Sequence, residues 1–87
     1  MRDKLLQIIN HYGLNNQQRK LQEEVFELQE AITLEQYDEG NKEHIIEELA
    51  DVCVLLEQIK LYYDINTWDI QIMMEQKVKR TIERIGD

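Results

Sequence analysis

Apolar residues recur at intervals of three and four along four stretches of the chain, each closed by a glycine or an asparagine-containing spot. That period is the signature of amphipathic helices. The first stretch, Arg2 to Tyr12, carries Leu5, Leu6, Ile8, Ile9 and Tyr12, and Gly13 stands where a helix stop is expected. A second helix, capped by Asn15 or Asn16, runs to about Tyr37, before the turn-like DEGN. Asn41 is positioned to cap a third, reaching about Tyr63; a fourth opens at Asn66 or Thr67 and ends near Ile85, before Gly86. The second and third helices are long and the loop between them short, which predicts an antiparallel hairpin. Leu21, Val25, Leu28 and Ile32 define the centre of one apolar stripe, and Ile45, Leu49, Val52 and Leu56 that of the other.

Composition supports an all-α, four-helix chain and bounds its size. There is no proline among the 87 residues, and Leu, Ile, Glu, Gln and Lys, all compatible with helix, dominate. The chain reads as one domain over residues 1–87, too short to bury a large core. Domains of this size often gain stability by association, so the expectation is an oligomeric helical bundle, a homodimer or homotetramer. The lone cysteine, Cys53, lies in the apolar run VCVLL and is expected to be a small buried core residue. A single thiol excludes an intrachain disulfide framework.

Charge narrows the partners. A formal net charge of −8 argues against a general nucleic-acid binder and against an anionic membrane surface. No apolar run approaches the length of a bilayer span, and the N-terminus lacks the apolar core of a signal peptide, so a cytoplasmic protein is expected. Small phosphate ligands remain open, because an acidic site recruits divalent cations that in turn hold phosphate.

The acidic residues are patterned. Shifted forward so that Glu23 falls on Glu47, the second helix overlays the third: Glu24 meets Glu48, Glu27 meets Asp51, and Leu21, Val25, Leu28 and Ile32 meet Ile45, Leu49, Val52 and Leu56. On a helical wheel Glu24 and Glu48 lie at the edge of their stripes, with Glu27 and Asp51 further round the same flank. Paired by those stripes, the helices bring Glu24, Glu27, Glu48 and Asp51 together. Four carboxylates without a cation repel one another and lose hydration. Mg²⁺ or Mn²⁺, which prefer oxygen ligands, relieves the conflict. Against this stands the ordinary reading of each motif alone as a solvated helix face, glutamate being a good helix former. The matched register, and an aspartate in mid-helix where propensity disfavours it, favour a shared site.

The motifs E-x-x-E at Glu24 and Glu27 and E-x-x-D at Glu48 and Asp51, within KLQEEVFELQEAI and EELADVCVLL, resemble the signature of the MazG-like all-α nucleoside triphosphate pyrophosphohydrolases. The resemblance covers the second and third helices, about half of the chain. It implies that Glu24, Glu27, Glu48 and Asp51 are Mg²⁺ ligands, with Glu23 and Glu47 as candidates for the general base. It also implies hydrolysis of a (deoxy)nucleoside triphosphate to monophosphate and pyrophosphate, in a pocket built partly by a neighbouring subunit.

In the fourth helix Lys77, Arg80 and Arg84 line one flank of a stripe formed by Ile70, Met74, Val78 and Ile85. They are either surface cations balancing an acidic protein or, for Lys77 and Arg80, the groups that neutralise a triphosphate. Many members of the family carry an Asn among these cations, and this chain has none there. Phe26 lies off its stripe, as a subunit contact or a nucleobase platform would. Among the other aromatics, Tyr12, Tyr37, Tyr62, Tyr63 and Trp68, core or interface packing is the expected role for most. His11 and His44 belong to no nucleophile motif, and no phosphate-cradling glycine loop is present. Two other classes remain as alternatives: a helical interaction module whose acidic flank docks a basic partner, and a nucleotide-binding regulator that keeps the fold without turnover.

Overall fold

A computed structural model describes residues 1–86 as four helices in the order α1 (Arg2–Tyr12), α2 (Leu14–Gln36), α3 (Lys42–Tyr62) and α4 (Thr67–Gly86). Local chemistry explains most of the boundaries. Gly13 adopts a positive φ of 87°, and its N–H donates to the Ile9 carbonyl at 2.8 Å, closing α1. α2 starts at once from Leu14, with Gly13 as its cap and no side-chain cap. Asn15 and Asn16 therefore lie inside the helix rather than before it, and the Asn16 amide donates to the Tyr12 carbonyl at 2.7 Å, tying the end of α1 to the start of α2. Asn41 caps α3 as expected, its Oδ1 accepting from the His44 N–H at 2.8 Å. Asn66 Oδ1 accepts likewise from the Trp68 N–H at 2.8 Å.

Both long helices end alike. Asp38 and Asp64 take left-handed backbone, with φ of 60° and 53°. The following N–H groups, of Glu39 and Ile65, return to the carbonyls of Leu34 and Lys60 at 2.8 and 2.9 Å, the closure of a Schellman turn. Glycine usually fills that left-handed position, and here aspartate does so at some backbone strain.

The core is small. Leu5 and Ile9 of α1, Ala31 of α2, and Val52 and Leu55 of α3 are the buried apolar residues, with Leu21, Leu28, Ile45 and Ile59 half-buried around them. α2 and α3 pack on each other, α1 lies against both, and α4 makes no extended contact with the other three. No residue of α4 is buried, so Trp68, Ile72, Met73, Met74, Val78, Ile82 and Ile85 face outward.

Two expectations about the core are corrected. The seam between α2 and α3 is the row Leu21, Glu24, Leu28, Ala31 against Ile45, Glu48, Val52, Leu55, whereas Val25, Ile32, Leu49 and Leu56 are 37–45 % exposed. Each helix carries two apolar rows side by side. A pair of helices buries one row from each, and the stripe centre read on a wheel falls between the two. Glu24 and Glu48 consequently stand in the seam itself and not at its edge. Cys53 is exposed rather than core: the position after Val52 lies about 100° round the helix and turns away from the seam.

Candidate functional site

The seam brings carboxylates from two helices to one place. Glu24 and Glu48 are half-buried by their positions among Leu21, Leu28, Ile45 and Val52, while Glu27, almost a full turn beyond Glu24, is exposed. Each of the three offers an oxygen within 4.8 Å of the others. Asp51 is exposed and stands outside that closest trio, yet its charge is near enough to act on Glu24.

The electrostatic consequence falls on Glu24. Burial pushes its carboxyl above the ordinary 4.5, and the charges of Glu27 and Asp51, a hydrogen-bonding interaction with Glu27, and the charge of Glu48 push it in the same direction. Glu24 Oε2 and Glu48 Oε2 are buried with no hydrogen-bond partner among the described residues. Orphaned buried acceptors are rare, since each forfeits hydration without replacement. The other oxygen of Glu48 lies 3.3 Å from His44 Nε2, one turn back on the same helix. His44, to which the sequence assigned no role, therefore belongs to the acidic site.

Two cavities flank the cluster. The larger, about 570 Å³, lies between α1, α2 and α3, and Tyr12, Arg19, Lys20, Glu23 and Asp51 are among its lining residues. The smaller, about 330 Å³, is lined by Glu27, Glu30, Ala31, Leu34, His44 and Glu48. Of the two candidates for a base, Glu23 lines the larger cavity beside Asp51, whereas Glu47 is exposed and lines neither.

The expected phosphate-binding cations are not brought to this site within one chain. Lys77 and Arg80 are exposed on α4, and among the described residues neither forms an ion pair. Arg19 and Lys20 stand on the wall of the larger cavity instead. They sit one turn before Glu23 and Glu24, a spacing that places them on the same side of α2, and that signal was present in the letters RKLQEE. The cavity also exposes a hydrogen-bonded pair of buried glutamines, Gln17 and Gln58, which no sequence pattern announces.

The chain matches no protein-family model, no curated protein and no solved structure.

Proposed function

We propose that the chain is a Mg²⁺-dependent nucleoside triphosphate pyrophosphohydrolase of the MazG-like kind, with Mn²⁺ as a substitute ion. The observation that carries the reading is the convergence of Glu24, Glu27 and Glu48 with two buried carboxylate oxygens left unpartnered. All the donors are hard oxygens and the local charge is negative, so the residues fit a divalent cation of the Mg²⁺ type. Glu24, Glu27, Glu48 and, across the rim of the larger cavity, Asp51 would hold it. Such an ion, when bound, polarises phosphate oxygens and lowers the pKa of water.

The remaining roles fall to side chains of the protein. Arg19 and Lys20 lie on the cavity wall with Glu23 and Asp51, where they offset phosphate charge, Arg by forked donors and Lys as a point charge. Glu23 is the better candidate to take the proton of the attacking water. Attack at the α-phosphorus forms the new P–O bond, breaks the bond to the β-phosphate bridge and releases pyrophosphate, leaving the nucleoside monophosphate. Seclusion of the seam carboxylates strengthens their attraction for a cation, which when bound would offset the negative charge that develops on the phosphate.

We read α2 and α3 as an antiparallel hairpin, which is what pairs Gln17 with Gln58 near one end and Glu24 with Glu48 nearer the loop. We infer a homodimer or homotetramer. The outward row Val25, Ile32, Leu49 and Leu56, with the uncovered apolar stripe of α4, supports it. In that assembly Lys77 and Arg80 reach the phosphates from a neighbouring copy. A cytoplasmic setting suits the exposed thiol of Cys53, which stays reduced there.

The experiment is a screen of ribo- and deoxyribonucleoside triphosphates for pyrophosphate release with Mg²⁺, using wild type, Glu24→Gln and Glu48→Gln. Release by wild type and its loss in both variants is the expected result. Mg²⁺ binding without release would favour a regulatory nucleotide binder. No response to Mg²⁺ at all would favour a helical interaction module.

A further inference from the structure

We propose that the Gln17–Gln58 amide pair reads the edge of a nucleobase in the 570 Å³ cavity between α1, α2 and α3, an assignment that rests on the nucleotide reading above. The two side chains are 5 % and 2 % exposed, deeper than most of the apolar residues around them. Two amides at such depth lose hydration, and the single bond between them, Gln17 Nε2 donating to Gln58 Oε1 at 2.8 Å, restores only part of it. Aliphatic side chains would fill the same volume without that loss.

The unused ends suggest the purpose. Among the described residues Gln17 Oε1 and Gln58 Nε2 make no side-chain hydrogen bond, yet they are not sealed away, since the buried partnerless side-chain atoms there are those of Glu24 and Glu48. Both glutamines line the cavity, and their mutual bond leaves the pair an acceptor, Gln17 Oε1, and a donor, Gln58 Nε2, to offer a ligand. Their complement is a ligand edge with a donor next to an acceptor. The amino–imine edges of cytosine and adenine and the keto–imino edges of uracil, thymine and guanine all have that form. Turning both amides together reverses the order while keeping the bond between them, so the pair accepts either edge type and rejects an edge whose ring nitrogen is blocked.

The rest of the wall is consistent with such a ligand. Tyr12, on the α1 side, offers a ring face for stacking and is held at its carbonyl by Asn16. Arg19 and Lys20 offer charge for phosphate, and Asp51 leads to the carboxylate cluster. The volume is within the range of about 300–1,000 Å³ usual for small-molecule sites.

The test is calorimetric titration of the full chain, with Mg²⁺, against nucleoside monophosphates and their counterparts methylated at pyrimidine N3 or purine N1. Wild type is expected to bind at least one unmodified base about tenfold or more tightly than its methylated form, because a buried polar pair left facing a methyl group is heavily penalised. Gln17→Met and Gln58→Met should bring that ratio to within about threefold while phosphate-dependent binding persists. A purely structural pair would weaken both ligands alike and leave the ratio unchanged, which would overturn the proposal. Should the variants fail to fold, wild type alone decides: equal affinity for methylated and unmodified ligands overturns it. The readout needs no hydrolysis, so absence of pyrophosphate release would remove the enzymatic reading while this ratio still judged the base site.

Discussion

Replacing Glu24 by glutamine removes one negative charge from the seam and leaves the side-chain shape nearly unchanged. Two unit charges at 4.8 Å, the outer separation within the carboxylate trio, repel by about 3.5 kcal/mol at an effective dielectric of ~20 and by about 0.9 kcal/mol in bulk water. Glu24 is half-buried and Glu27 is exposed, so relief on the order of 1–3 kcal/mol is expected in the metal-free protein. In a chain of this size each kcal/mol moves the melting temperature by about 4–8 °C, so relief of about 1–3 kcal/mol should make Glu24→Gln melt about 4–24 °C above wild type in chelator.

Mg²⁺ should reverse that order. An ion that binds only the native state adds about 4.1 kcal/mol at a thousand times its dissociation constant, more than the relief of repulsion, and the variant, with one fewer anionic ligand, gains far less. Thermal melts of both proteins at equal protomer concentration, with chelator and with saturating Mg²⁺, measure the crossing. A variant less stable than wild type in chelator would refute the repulsion. Equal Mg²⁺ shifts in both proteins would remove Glu24 from the ion site.

Three further outcomes follow from other parts of the molecule. Glu24 binds its proton more tightly folded than unfolded, so between the two pKa values the native state carries more protons and metal-free stability falls as pH rises. The advantage of Glu24→Gln over wild type in metal-free melts should therefore be small below pH 4.5 and grow as pH climbs past the raised value; an advantage independent of pH would contradict the assignment. Asp38→Gly and Asp64→Gly relieve left-handed backbone strain and should each raise stability by about 0.5–1 kcal/mol in denaturant titrations, with a decrease in either counting against the turn geometry. Leu49→Glu together with Leu56→Glu should shift light scattering toward monomer with helical circular dichroism retained, and an unchanged mass would show that another face holds the copies together.

The helices were legible because their ends are local chemistry. Gly13 and Asn41 act at the positions they occupy in the chain, and no distant contact overrides them. Of the acids, Glu24, Glu27 and Glu48 were legible through the repeat, which reports the register of two helices at once. The facing of the rows was not. Leu21 and Val25 are equally apolar, and which of them turns inward depends on where α1 lies and on what covers the other side, neither of which is a property of α2. Gln17 and Gln58 are not legible for a related reason: glutamine is usually a surface residue, and only their meeting across 41 positions makes them a buried pair. Lys77 and Arg80 stand in a dense basic run, but density along a chain does not say which helix packs on the site.

The angular positions on α2 and α3 tie the acidic site to the outward apolar row. Glu24 directly precedes Val25 and Glu48 directly precedes Leu49, so within each helix the two side chains are about 100° apart and turn together. A rotation that buried Val25 and Leu49 would carry Glu24 and Glu48 toward the edge, where water would satisfy them. The observed setting does the reverse: it draws two carboxylates into the seam and leaves four apolar side chains partly in solvent. For a lone chain without ions both halves of that choice are unfavourable. Under the proposed function both are offset, one by a cation on the carboxylates and the other by a second copy on the apolar row. The two ligands then favour the same helix rotation, so each should strengthen the binding of the other, as thermodynamic linkage requires.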